Sequence, residues 1–157
     1  MHHEFDPDFS QPTAIHRMVA ACQSGTYPAL ITRLNSGWAV LGQSQFLRGY
    51  SLLLPEPVVP HLNAMQLPHR EQFLKDMAAL GDAVLAVTGA LRINYAMFGN
   101  VEPALHAHVI PRYSEEAPEL QTAHPWAYDW VQAPQFDMQR DASLLQDIKS
   151  ALLKLAT

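Results

Sequence analysis

The chain has 157 residues, 48% of them hydrophobic, with 10 lysines and arginines against 15 aspartates and glutamates. This length predicts one domain, and the formal net charge of −5 excludes the basic stripe that holds a nucleic-acid backbone. No apolar run reaches the roughly 20 residues that span a bilayer, and Met1-His2-His3-Glu4 does not resemble a signal peptide. We therefore expect a cytoplasmic protein with neither polymeric nucleic acid nor a membrane among its partners.

The first third of the chain predicts a short helix followed by three strands. Apolar residues at helical spacing favour a helix over residues 13–22. Residues 29–34 and 38–41 predict two strands joined by a hairpin at Asn35-Ser36-Gly37, whose asparagine and glycine accept the positive φ of a tight turn. A third strand is predicted over 50–54, since prolines follow it directly.

The middle of the chain predicts one long helix and a second hairpin. An apolar stripe at helical spacing covers residues 68–90, with a proline in the first turn and Gly89 near the end. Strands are predicted over 93–98 and 104–110, joined by a turn at 99–103.

The last part of the chain, 114–157, predicts an ordered arm and a final helix. Prolines and large aromatic residues are frequent in it, and disordered segments lack the latter. We interpret His124-Pro125-Trp126 as packing residues of this arm, with closure over a substrate as the alternative. An amphipathic helix is predicted over 143–155, with a capping box from Ser143 to Gln146.

The order of these elements predicts the fold class. Hairpins and helices that do not alternate as βαβ units favour an α+β domain, an antiparallel sheet with one long helix and terminal helices. We expect a single domain over 1–157, with its core at about 28–113 and the arm and final helix at 114–157.

Two histidines, His106 and His108, lie one residue apart inside an apolar run. In a strand, side chains two residues apart project from the same face about 7 Å apart. Leu105 and Val109 then face the other way. The two imidazoles therefore share one face, and such a surface suits a phosphate or a metal.

Three interpretations of this pair stay open. A structural one requires polar partners for two rings on a surface of leucine, alanine and valine. A metal site has two ligands in His-x-His, and Glu102 or Glu115-Glu116 would have to complete it. In phosphoryl chemistry, one neutral imidazole is the nucleophile and its protonated neighbour stabilises the charge on phosphorus.

The turn before the second strand of this hairpin favours phosphoryl chemistry. Gly99-Asn100 offers an exposed backbone N–H and an amide side chain, and both bind phosphate oxygens without added positive charge. On this interpretation we expect neither a metal nor an organic cofactor.

The segment 94–112 resembles the histidine triad family of nucleotide hydrolases and transferases. The family signature has three histidines at alternate positions, then apolar residues and often Pro-Arg, as in His106, His108 and Pro111-Arg112 here. Looser similarity extends over 38–113. The resemblance implies an antiparallel sheet with helices, a homodimer, and cleavage of a phosphoanhydride or phosphoramidate in a small-molecule nucleotide.

Site residues follow from the resemblance position by position. His106 matches the middle histidine, which forms a nucleotidyl-histidine intermediate, and His108 matches the third, which holds phosphate oxygens. Asn94 resembles the amide residue that contacts the nucleotide, and Gly99-Asn100-Val101 resembles the segment that lines the phosphate site. Gln43 is expected to supply a hydrogen bond to the substrate, with Gln45 as the alternative donor.

The sequence departs from the family pattern at three places. Ala104 stands where the first histidine of the triad belongs, and Tyr50 replaces a histidine that supports the nucleophile. Gly42-Gln43 occupies the region where relatives place the aspartate or asparagine that grips the ribose. These departures leave a second hypothesis open, a catalytically degenerate module that binds a nucleotide or phosphate without turnover.

Overall fold

The computed structural model describes residues 11–155, so the two ends of the predicted domain, 1–10 and 156–157, lie outside the described residues. Three helices and five strands follow one another, together with short 3₁₀ turns at Leu62–Ala64 and Pro125–Ala127. Their bounds are α1 Ala14–Gln23, β1 Leu30–Leu34, β2 Gly37–Leu41, β3 Ser51–Pro55, α2 Leu67–Thr88, β4 Arg92–Ala96, β5 Ala107–Arg112 and α3 Met138–Leu155. Within the described part of the chain, no helix has the length and apolar character needed to cross a bilayer.

The five strands form one antiparallel sheet in the order β1-β2-β3-β5-β4. The long helix α2 connects β3 to β4, so β5 inserts between two strands that precede it in the chain. This arrangement confirms the predicted α+β class. It also leaves β4 at one edge of the sheet.

One face of the sheet, which we call the helix-covered face, packs against α2 and α3. Alternate strand residues such as Leu53 and Val109 point to this side and meet Phe73, Leu80 and Ile148 of the two helices, all fully buried. The apolar stripe of α2 supplies the contact, as predicted. Gly89 ends the helix in a left-handed conformation (φ 69°), which a glycine adopts at little cost.

The opposite face, the arm-covered face, packs against α1 and the C-terminal arm. Ile15 and Val19 of α1 meet Leu54 of β3 and Ile110 of β5. Irregular chain and aromatic rings cover the rest of this face, with Trp130 among them. The two histidines lie on this second side.

One predicted helix boundary and one predicted turn conformation are wrong here, for identifiable reasons. The final helix begins at Met138 rather than residue 143, because Asp137 caps it: its carboxylate accepts from the Arg140 N–H at 2.9 Å. Gly37 does not take a positive φ but opens β2. A side chain there would overlap the carbonyl oxygen of Leu54, so the glycine serves close strand approach instead.

Candidate active site

His106 and His108 are held where β5 begins. His108 is the second residue of the strand and lies in register between Leu52 of β3 and Ala96 of β4. His106 immediately precedes the strand, which starts at Ala107 rather than at the predicted residue 104. The two ring centroids are 4.8 Å apart with the planes at 71°, so the imidazoles share one face.

The hydrogen bond of His106 determines which of its nitrogens carries a proton. Nδ1 lies 2.8 Å from the carbonyl oxygen of Ala104. A carbonyl oxygen only accepts, so Nδ1 carries a proton, and in the neutral form of the ring Nε2 keeps a lone pair. His106 therefore presents a nucleophilic nitrogen.

The hydrogen bond of His108 fixes the complementary tautomer. The Tyr50 hydroxyl lies 2.6 Å from Nδ1 of His108. Burial raises the pKa of the Tyr50 phenol far above its usual value, so the hydroxyl keeps its proton. We assign the hydroxyl as the donor, which leaves the ring proton of His108 on Nε2. Gly42 makes this possible, because a side chain there would overlap the Tyr50 ring.

The environment of His108 also sets its charge. Burial, aided by the charge of His106, lowers the pKa of His108 from 6.5 to about 4. This lowered pKa favours a neutral His108 near pH 7, in contrast to the protonated neighbour that the sequence predicts. A neutral ring with its proton on Nε2 still donates one hydrogen bond.

A cavity of about 530 Å³ opens in front of the two imidazoles, and we call it the histidine chamber. Its mouth is formed on one side by the loop between β4 and β5 and on the other by the C-terminal arm. The loop contributes Phe98, Gly99, Asn100, Val101 and Glu102, and the arm contributes His124, Trp126 and Trp130. The volume is large enough for a drug-sized ligand.

The chamber gathers five of the seven predicted site residues. His106, His108 and the segment Gly99-Asn100-Val101 line it, and Gly99 adopts the left-handed φ of 71° that its turn requires. Asn94 does not line the chamber, because Arg112 donates to its side-chain oxygen at 2.9 Å and holds it in a neighbouring cavity. Gln43 is also outside: its side chain is exposed, and its carbonyl accepts from the Phe136 N–H at 2.7 Å.

The sequence predicts an aromatic-rich arm, but it does not predict which of the arm's aromatic residues line the site. The Trp126 ring lies edge-on to His108, with centroids 5.1 Å apart, and Trp130 stacks on Phe46 at 3.9 Å. His124 and Trp126, interpreted as packing residues, line the chamber instead. The density of aromatic residues after Arg112 was the available signal, but nothing local indicates which face of the sheet they cover.

A buried ion pair holds the arm in place. Arg112 and Glu116 form a salt bridge at 2.9 Å with both side chains at least nine-tenths buried. The guanidinium also donates to the carbonyl oxygens of Leu120 and Ala123, at 2.7 and 2.9 Å. Burial alone would raise the pKa of Glu116, but hydrogen bonds from Arg112 and Tyr128 outweigh it and the pKa is lowered.

A metal has no complete ligand set at this site. Among residues 11–155, no group of three or more histidines, cysteines and carboxylates is placed to hold a metal ion. Glu116, one of the carboxylates considered with the histidine pair, is committed to Arg112. Glu102 does line the chamber, and it is the only carboxylate among the lining residues described.

Comparison with known proteins identifies the fold. The sequence matches no protein-family model, and no curated protein matches it. Solved structures do match. A histidine triad protein from Marinobacter aquaeolei VT8 superimposes with a TM-score of 0.72 and 18% identity over 92% of this chain and 99% of that one.

Two further structures agree with the first. A histidine triad protein from Sinorhizobium meliloti 1021 has a TM-score of 0.66 at 17% identity, over 80% of this chain and 87% of that one. A HIT-like protein from Bartonella henselae, described as involved in cell-cycle regulation, has a TM-score of 0.68 at 15% identity over 90% and 99%. The chain therefore has the histidine triad fold, which confirms the fold that the resemblance implied.

Proposed function

We propose that this protein is a nucleotide hydrolase or transferase that cleaves a phosphoanhydride or phosphoramidate through a nucleotidyl-His106 intermediate. One observation carries the proposal. Two imidazoles on one face of the sheet open together into the same chamber, and their hydrogen-bond partners are consistent with one ring that has a free lone pair and one that has a free N–H. The histidine triad fold supports it.

The tautomers assign the two roles. Nε2 of His106 donates its lone pair to phosphorus, a P–N bond forms, and the bond to the leaving group breaks with its electron pair departing on that group. Water or another acceptor then attacks phosphorus, and the P–N pair returns to Nε2. The intermediate divides one difficult displacement into two easier ones.

His108 is the hydrogen-bond donor to the phosphate oxygens in this scheme. Its Nε2–H stays available because Tyr50 occupies Nδ1. The Gly99-Asn100 segment faces the same chamber and offers further donors. We propose these neutral donors as the means by which charge on phosphorus is stabilised, since no lysine or arginine is among the chamber residues described.

Hydrolysis assays on a single substitution test the proposal. Wild type and His106→Asn are compared with dinucleoside polyphosphates and adenosine phosphoramidates, and intact-mass spectrometry after quenching searches for a nucleotide adduct. We expect a loss of at least about 10³-fold in the variant, as for removal of a nucleophile. His69→Asn is the matched control, because His69 lies outside the chamber. Equal rates in wild type and His106→Asn remove His106 from the mechanism.

A second candidate function is a binding module without turnover. Ala104 favours it, because a fully buried methyl group stands where the family has its first histidine. Calorimetry selects between the two: tight nucleotide binding with no turnover across the substrate panel supports the module. Binding with turnover supports the enzyme.

We also propose a homodimer, with β4 as the contact. Only one side of β4 pairs within the described residues, and Leu91, Tyr95 and Phe98 beside this edge are 64%, 42% and 59% exposed. Light scattering should then give twice the 17.5 kDa chain mass. A monomer at assay concentrations contradicts this part of the proposal and leaves the chemistry untouched.

A further inference from the structure

Cleavage of a phosphoramidate by the proposed route needs a proton that neither imidazole supplies. An amine or alcohol leaves phosphorus readily only when it is protonated as the bond breaks. Nδ1 of His106 is bonded to Ala104 and its Nε2 is the nucleophile, while His108 is neutral and held by Tyr50. Ala104 itself offers only a methyl group.

Among the described chamber residues, Glu102 is the only carboxylate that is placed to supply this proton. It lines the chamber with both histidines, four residues before His106, in the loop that enters β5. Its Oε1 is buried, and it has no hydrogen-bond partner among the residues that the structure describes. Buried polar atoms are nearly always paired, so the partner of an unpaired oxygen on a residue that lines a cavity is a water or a ligand.

Glu116, a buried carboxylate in this part of the fold, provides a comparison for Glu102, which is partly exposed. The Glu116 carboxylate accepts from Arg112, from the Tyr113 N–H at 2.7 Å and from the Tyr128 hydroxyl at 2.5 Å. Glu116 is therefore saturated and structural. Glu102 has the same functional group with an uncommitted oxygen, at the wall of the chamber rather than beneath the arm.

We infer that Glu102 is a general acid and base of this site, in place of the group that Ala104 lacks. The inference rests on the proposed function. Glu102 acts in its protonated form: as Nε2 of His106 forms its bond to phosphorus and the bond to the leaving group breaks, the carboxyl gives its proton to the departing nitrogen or oxygen, which leaves as a neutral amine or alcohol. The resulting carboxylate then takes a proton from water as that water attacks phosphorus, the P–N pair returns to His106, and the carboxyl is restored.

The test compares two substrates that differ in their need for a proton. One is the p-nitrophenyl ester of a nucleoside 5′-monophosphate, whose leaving group is stable as an anion. The other is the alkylamine phosphoramidate of the same nucleoside. For Glu102→Gln we expect kcat/KM to fall by about 10²-fold or more on the phosphoramidate and by less than about threefold on the ester.

Two further variants keep the result decisive. Glu119→Gln, an exposed arm residue away from the chamber, should leave both substrates unaffected. His124→Asn removes the remaining titratable side chain of the chamber besides the histidine pair and Glu102. A selective loss on the phosphoramidate in His124→Asn, with none in Glu102→Gln, assigns the proton to His124 and overturns the inference.

The remaining outcomes separate this inference from the proposed function. Equal loss on both substrates in Glu102→Gln means that the carboxylate is structural, and no loss on either means that it is a bystander. Each overturns the inference while wild-type turnover upholds the proposed function. If wild type turns over neither substrate and forms no His106 adduct, the proposed function fails and the role of Glu102 fails with it.

Discussion

The two faces of the sheet are built by different means. The helix-covered face is filled by aliphatic and phenyl side chains at helical and strand periods, and its contacts come from regular elements. On the arm-covered face, the irregular C-terminal arm lies over the histidines, and its apolar residues do not repeat at helical or strand spacing. Side chains hold that segment by hydrogen bonds to backbone, as Arg112 does to Leu120 and Ala123.

This difference separates stability from chemistry. A periodic apolar interface excludes water and offers no unpaired polar atom, so it stabilises the fold and does little else. An irregular cover leaves a chamber, and it brings in rings and polar groups that regular packing would exclude. The site is therefore on the side of the sheet where packing is least regular.

The largest expected effect comes from the helix-covered face. Phe73→Ala empties a site that is 0% exposed and should lower the free energy of unfolding by about 3–5 kcal/mol. The Tyr50–His108 contact should persist in the folded variant, because it lies on the opposite side of the sheet. Denaturant unfolding gives the first quantity and imidazole NMR shifts the second.

Leu153→Ala is the control for this variant, since this α3 side chain is 53% exposed, lies away from the proposed dimer contact and should contribute less than about 0.5 kcal/mol. If Phe73→Ala shifts the imidazole resonances of His106 and His108 in the folded protein, the two faces are not independent.

The next largest effect concerns the arm. Glu116→Gln leaves the buried guanidinium of Arg112 without its counter-charge, and we expect a loss of about 2–3 kcal/mol. The arm should loosen over the chamber, so acrylamide should quench tryptophan fluorescence more strongly than in Glu119→Gln. Unchanged quenching together with full destabilisation would show that the ion pair supports the fold as a whole rather than the arm.

The sequence predicts the fold correctly where apolar residues repeat with the period of a helix or of a strand. The stripe of α2, its glycine end and the alternation that places His106 and His108 on one face are all local properties. Sequence analysis places the start of α3 too late, because its first turn is largely polar and its cap is an aspartate six residues before the predicted cap, Ser143.

The rest of the site depends on contacts between distant parts of the chain. Trp126 reaches His108 only because Arg112 fixes the arm, and Asn94 is withdrawn from the chamber by that same guanidinium. The sequence predicts no partner for Tyr50, and its 2.6 Å hydrogen bond to His108 follows from strand register. No local period encodes such contacts.

The free energy of unfolding should also depend on pH, because the arm-covered face partly buries a titratable ring, His108. The folded-state pKa of His108 is about 4, below the 6.5 of the unfolded chain, so the unfolded state binds more protons between these values. Stability is fully present above about pH 6.5 and is lost as the pH falls toward 4. We expect His108 to contribute about 2 kcal/mol to this loss, because water reaches the edge of a half-buried ring.

Unfolding curves at pH 7 and pH 4.5 measure this contribution. In His108→Asn the part of the acid destabilisation that belongs to His108 should disappear, while His69→Asn should retain it. An identical pH slope in wild type and His108→Asn would show that the ring titrates normally and is not desolvated by the arm.

The smallest effect isolates one hydrogen bond on the arm-covered face. Tyr50→Phe removes the hydroxyl and keeps the ring that packs against Phe46 and Trp130, so the cost should be about 1 kcal/mol. Without its donor, Nδ1 of His108 is free to take the ring proton, and ¹⁵N shifts should show a mixture of tautomers. His106 should keep its proton on Nδ1, since the Ala104 carbonyl is untouched. If His108 keeps a single tautomer in Tyr50→Phe, a group other than the phenol fixes the proton, and the assignment of His108 as a donor no longer depends on Tyr50.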